Sequence, residues 1–142
     1  MIMSRLDYCN ATFAGVADEQ IARIRKMQSN AARSILKISK PNHVTPLLKE
    51  LHWLPVKYRI QYKLSTLAFR YFDGTLPPYL SSSLCTYQSS RSLRSSTERL
   101  LKIPKTNLKT FSGRSFGYIA PFVWNTLPAD LKASPSLQTF KA

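Results

Sequence analysis

Acidic side chains are scarce in this chain. Seven Asp and Glu stand against 21 Lys and Arg in 142 residues, a formal net charge of +14. The seven are scattered, at Asp7, Asp18, Glu19, Glu50, Asp73, Glu98 and Asp130. General acid–base catalysis needs paired carboxylates or a poised histidine. The adjacent acids, Asp18 and Glu19, fall where a helix N-terminus favours negative charge. Glycine is also thin, at four residues. That leaves little material for a phosphate-cradling loop, and no HExxH occurs. His52, inside Leu51-His-Trp-Leu54, reads as a packing residue at a helix end and not as a base. No catalytic residue is nominated, and the chain is expected not to be an enzyme.

Cysteine is limited to Cys9 and Cys85, far apart and in no CxxC pair. Two such thiols suggest a reducing compartment or simple packing, not a disulfide framework. Together with His43 and His52 they number four possible zinc ligands, but their spacing fits no zinc pattern. No metal or cofactor is expected. Long apolar runs are missing too: nothing reaches the roughly 18 residues that a membrane span requires. Residues 1–14 contain Arg5 and Asp7 and have no uninterrupted apolar core, so they do not read as a signal peptide. The expected location is intracellular, nuclear or cytoplasmic.

What is present is a globular share of apolar residues, 44%, cut up by nine prolines. Several short elements with hard stops are expected. The clearest helix is 19–38, with Asp18 as its N-cap. Ile21, Ile24, Ala31, Ile35 and Ile38 form one apolar stripe. Arg23, Lys26, Arg33 and Lys37 repeat that spacing two residues later, about 200° round the helix, and so lie opposite the stripe. Residues 20–40 carry six cations and no acid. Such a face can track a phosphate backbone. It also fits an ordinary amphipathic helix with its wet side outward, although a wet side usually mixes both signs. Lys40-Pro41-Asn42 ends this helix.

Thr45 then caps a short helix to about residue 53, with Pro46 in its first turn and Leu47, Leu48, Leu51 and Leu54 on its buried side. Pro55 opens the second long helix, 56–72. Val56, Ile60, Leu64, Leu67 and Tyr71 form one apolar line, and Tyr58, Tyr62, Phe69 and Phe72 form another. A helix apolar over so much of its surface wants partners on more than one side. Asp73-Gly74 stops it, and Pro77-Pro78 starts a single turn through Leu84.

Residues 85–99 are Ser-rich with little to bury and read as a loop or linker. Residues 100–104 alternate weakly and fit a short extended segment. Between Arg91 and Arg114 there are seven cations (Arg91, Arg94, Arg99, Lys102, Lys105, Lys109 and Arg114) and one acid. This stretch fits a nucleic-acid contact that orders on binding, or a solvated linker. A further helix is expected over 112–126, with Pro121 near its start or at a kink. Ser136 caps a last helix over 137–142, short enough to be marginal in isolation. Trp53 and Trp124 each sit in an apolar block beside Leu-Pro. They read as core anchors in preference to platforms for stacking bases.

Five short blocks stand in a fixed order: SRLDYCNA at 4–11, HVTPLLKELHWLPVKYRI at 43–60, PPYLSSSL at 77–84, RSLRSS at 91–96 and APFVWNTLPADLKASPSLQTF at 120–140. In this order they resemble the region that follows the polymerase core in reverse transcriptases of non-LTR retrotransposons, the LINE-like elements of the jockey and related clades. The resemblance spans 4–140. It implies thumb-proximal helices and a post-polymerase segment that holds template RNA or target DNA. It also implies sequence before residue 4 and a final helix that continues past 142. The family's Tyr/Phe-x-Asp-Asp metal pair occurs nowhere in this chain, and no matching block carries a catalytic residue. Polymerase activity is therefore not implied.

The expected fold is mainly α: a small irregular helical domain with a basic Ser-rich loop and at most a short extended segment. Its organisation is expected as a helical region 1–84, a basic linker 85–114 and a truncated C-terminal helical segment 115–142. The expected function is sequence-nonspecific RNA or DNA binding by a non-catalytic fragment. The alternatives are a protein-interaction module acting through helix 56–72 and a decayed reading frame with no selected role.

Overall fold

Stretches of helix-compatible sequence between the prolines and glycines do become helices. A computed structural model describes residues 4, 7–38, 43–88, 99–106 and 112–141. Its secondary structure is mainly α, as the sequence predicts. The described α-helices are α1 (Asp18–Leu36), α2 (Val44–Glu50), α3 (Val56–Phe72), α4 (Pro78–Ser81), α5 (Phe116–Asn125), α6 (Ala129–Lys132) and α7 (Leu137–Lys141). Single 3-10 turns form at Asn10–Phe13 and Ser112–Arg114. The chain makes two compact units, Met1–Tyr62 and Lys63–Ala142, and the boundary falls inside α3.

In the first unit, α1 opens one residue earlier than expected. Asp18 is its first residue and not its cap, and Ala17 caps it without a side-chain bond. Ile21 and Ala31 are buried and Ile24 and Ile38 half-buried, but Ile35 is 52% exposed, against the stripe drawn from the sequence. The covered sector is rotated towards Ala32 and Leu36, which pack with Leu47 and Leu48 of α2. Ile35 lies about 100° round from Leu36 and stays outside that contact. The position the stripe omitted is Gln28, which is fully buried.

Gln28 holds the next corner of the chain. Its Nε2 donates to the Leu54 carbonyl at 2.9 Å, and its Oε1 accepts the Val56 N–H at 3.3 Å. The Val56 N–H is one of the donors that a helix start leaves without an intrahelical partner. Gln28 thus caps α3 from another helix, while the Pro55 carbonyl accepts Tyr58 and Arg59 N–H in the first turn. Arg59 Nε donates to the same Leu54 carbonyl, and its Nη1 pairs with Asp7. The segment around Asp7 is thereby tied to α3.

The helix ends use one device. α1 stops at Leu36, before the Lys40-Pro41-Asn42 signal, because Lys37 turns left-handed (φ 53°) and the Ile38 N–H reaches back to the Arg33 carbonyl at 3.1 Å. α2 stops at Glu50, short of Trp53, with His52 at φ 52° and Trp53 N–H on the Leu48 carbonyl at 2.7 Å. α3 stops with Gly74 at φ 71° and Thr75 N–H on Arg70 at 3.0 Å. These are Schellman closures, which satisfy carbonyls that a helix end leaves open. Thr45 does not cap α2: His43 holds that position, and Thr45 and Pro46 sit within the first turn.

In the second unit the core is aromatic. Phe69 stacks on Phe140 at 4.9 Å between ring centres, and Trp124 lies 5.4 Å from Phe72 and 5.9 Å from Phe140. The last helix, α7, is therefore held by its Phe140, and Ser136 Oγ caps it through the Thr139 N–H at 3.2 Å. α5 begins at Phe116, with the 3-10 turn taking 112–114, and Pro121 is buried within it. Gly117 is needed there, because a Cβ would come within 2.8 Å of the Ser83 carbonyl oxygen. The expected extended segment pairs at Leu101 with Thr86 in one antiparallel bridge. The second apolar line of α3 divides: Phe69 is buried, whereas Tyr58 and Tyr62 remain exposed.

Candidate nucleic-acid interface

The basic residues nominated from the sequence fall into two sets, one in each unit. On α1, Arg23, Lys26 and Lys37 are exposed and Arg33 is half-buried. Arg33 is therefore not part of a fully wet face, because the covered sector of α1 has rotated towards it. Arg23 pairs with Glu19 one turn earlier at 2.9 Å. An exposed pair of this kind is weak and leaves the guanidinium open to exchange partners. Arg25, counted in the basic run but not nominated, is exposed as well.

In the second unit Arg99, Lys102, Lys105 and Arg114 are all exposed. Arg91, Arg94 and Lys109 lie outside the described residues. Lys102 and Lys105 line a cleft of about 750 Å³, whose other walls include Tyr87, Leu100, Ile103 and Pro104. Arg99 and Arg114 are not among its walls.

The cleft is held by backbone pairing. Tyr87 N–H donates to the Leu100 carbonyl at 2.9 Å, and Lys102 N–H donates to the Cys85 carbonyl at 2.8 Å. The pair they flank, Thr86 and Leu101, directs the Leu101 amide groups to the other side. There Asn125 takes both: its Oδ1 accepts Leu101 N–H at 3.0 Å and its Nδ2 donates to the Leu101 carbonyl at 2.8 Å. One carboxamide stands in for a third strand. Beside it, the Trp124 indole N–H donates to the Arg99 carbonyl at 2.6 Å. Trp124 is fully buried, so it is a core anchor, as its setting in the sequence suggests. Trp53 is half-buried against Ala32, Leu47 and Leu48.

The aromatic that composition did not flag is Tyr87, 52% exposed in the cleft wall. The signal was a tyrosine at the edge of a Ser-rich stretch with few apolar residues to pack on.

One catalytic pattern was also missed. Gly113-Arg-Ser115-Phe-Gly117 matches Gly-x-Ser-x-Gly. In a nucleophile elbow that pattern sits on a strained turn between a strand and a helix. Here it begins inside a 3-10 turn, Ser112–Arg114, and Ser115 caps α5 with ordinary extended backbone, φ −66° and ψ 145°. Its second glycine is accounted for by the close approach of Ser83.

Cys9 and Cys85 are exposed free thiols. Among the described residues no three His, Cys, Asp or Glu side chains gather as a metal site, and no helix is long and apolar enough to cross a membrane. No protein-family model, no curated protein and no solved structure matches this chain.

Proposed function

We propose that this chain is a non-catalytic relative of the post-polymerase region of non-LTR retrotransposon reverse transcriptases, and that it binds RNA or DNA without sequence preference. The observation that carries this is the sign of the exposed charge. Arg25, Lys26 and Lys37 on α1 and Arg99, Lys102, Lys105 and Arg114 in the second unit are exposed, in a chain with 21 cations and seven acids. A surface on which cations so outnumber acids attracts polyanions and displaces their counterions on contact. The block order in the sequence supports the relationship, and the missing Asp-Asp pair supports the lack of polymerase chemistry.

The test is a salt titration of binding to a short labelled RNA, followed by fluorescence anisotropy. Log affinity should fall linearly with log salt, by roughly 0.7 to 0.9 per phosphate neutralised. No binding at low salt, or binding indifferent to salt, overturns the proposal. A second reading, docking on a protein, is favoured by Tyr58 and Tyr62, exposed at 55% and 44% one turn apart on α3. That contact would survive high salt and charge reversal at Arg23, Lys26 and Arg33.

A further inference from the structure

The cleft beside the Thr86–Leu101 bridge has no role in a purely electrostatic contact. Its volume, about 750 Å³, lies in the range of roughly 300–1,000 Å³ usual for small-molecule sites. Its walls are apolar at Leu100, Ile103 and Pro104, its open aromatic is Tyr87, and its charged residues are Lys102 and Lys105. No acid lines it. A flat aromatic face, apolar sides and two ammonium groups are what an unpaired nucleotide requires: the base stacks and the phosphates meet the cations. A base inside a duplex is already stacked and paired and cannot enter.

We infer that this cleft receives single unstacked bases of an RNA or DNA strand, with Tyr87 as the stacking face and Lys102 and Lys105 on the neighbouring phosphates. The inference rests on the nucleic-acid reading above and adds a preference for single strands. The geometry also accounts for indifference to sequence. Asn125, the amide side chain in the wall, has its Oδ1 and Nδ2 engaged by Leu101, and the apolar walls read no base edge. The site is pre-formed, since both strands of the bridge are fixed by backbone bonds and Leu101 is gripped from behind.

The 142-residue chain is titrated at low salt with labelled oligouridylate, oligothymidylate and a matching RNA duplex. The parent should bind both single strands more tightly than the duplex. Tyr87→Ala should weaken single-strand binding by roughly 5- to 140-fold, the span that base stacking provides, and leave duplex binding unchanged. Tyr87→Phe should bind as the parent does. Lys102→Ala with Lys105→Ala should lower the salt slope for single strands. A strand containing bromouridine should crosslink to Tyr87 on irradiation, mapped by mass spectrometry. Equal binding of duplex and single strand, with Tyr87→Ala unaffected, overturns the cleft and leaves the nonspecific reading standing. Failure of the parent to bind any of the three overturns both. The side chain of Tyr87 is half in solvent, so its removal leaves the fold intact, and circular dichroism of each variant verifies this.

Discussion

Gln28 is a polar residue with no exposure, and its value lies in having both a donor and an acceptor. It faces a carbonyl, Leu54, with its Nε2 and an N–H, Val56, with its Oε1. A buried polar group that loses its partner costs about 1–3 kcal/mol. Gln28→Glu keeps the shape and turns the donor into an acceptor. At neutral pH a carboxylate then opposes the Leu54 carbonyl, and the variant should lose about that much stability relative to the parent. Protonation restores a donor, so burial and the facing carbonyl raise the new group's folded pKa above the ordinary value of about 4.3. A raised folded pKa means that stability is present at low pH and lost as pH rises through it. Urea melts of variant and parent should therefore differ more at neutral pH than near pH 4, a value just below that ordinary pKa. An equal difference at both would show that the donor is not what matters.

The helices are set by how they end. Lys37, His52 and Gly74 occupy the same left-handed position after three helices, yet one alone is glycine. A side chain in that conformation is disfavoured by about 1–2 kcal/mol, partly offset by the flexibility that glycine brings to the unfolded chain. His52→Gly and Lys37→Gly should each raise stability by about 0.5–1 kcal/mol, read from chemical denaturation. A loss at His52 would mean that its imidazole makes a contact that stabilises more than the strain costs. At the same scale, Asn125 acts as a strand substitute. The extended segment at 99–101 is held on one side by the 85–87 backbone and on the other by Trp124 and Asn125 of α5.

At the scale of the molecule, charge opposes folding. Glu19 pairs with Arg23 and Asp7 with Arg59, against a net charge of +14. Self-repulsion of that size destabilises a compact state. Raising salt from about 0.01 M to 0.1 M shortens the screening length from about 30 Å to about 10 Å. The melting temperature, followed by far-ultraviolet circular dichroism, should rise over that interval. A fall would show that attractive pairs outweigh repulsion. Folding stability and RNA affinity then move in opposite directions with salt, and the two are separable in one set of titrations.

The sequence by itself determined the helical class and the places of most elements. Periodic apolar positions, Pro55, Asp73-Gly74 and Ser136 are local signals, and helices are local structures. It also determined the charge, which follows from composition alone. The block residues proved to be tertiary: Asp7 reaches Arg59, Leu54 and Val56 meet Gln28, and Trp124 and Asn125 hold Arg99 and Leu101. Only the tertiary structure decided which side of a stripe was covered. Ile35 has the right angle and stays 52% exposed, while Gln28 has a polar side chain and two hydrogen-bond partners. The helix ends at Lys37 and His52 were hidden because neither residue favours the conformation it adopts. The cleft was hidden for the same kind of reason. Tyr87 and Lys102 are fifteen residues apart, and a backbone pair that no local pattern announces brings them to one wall.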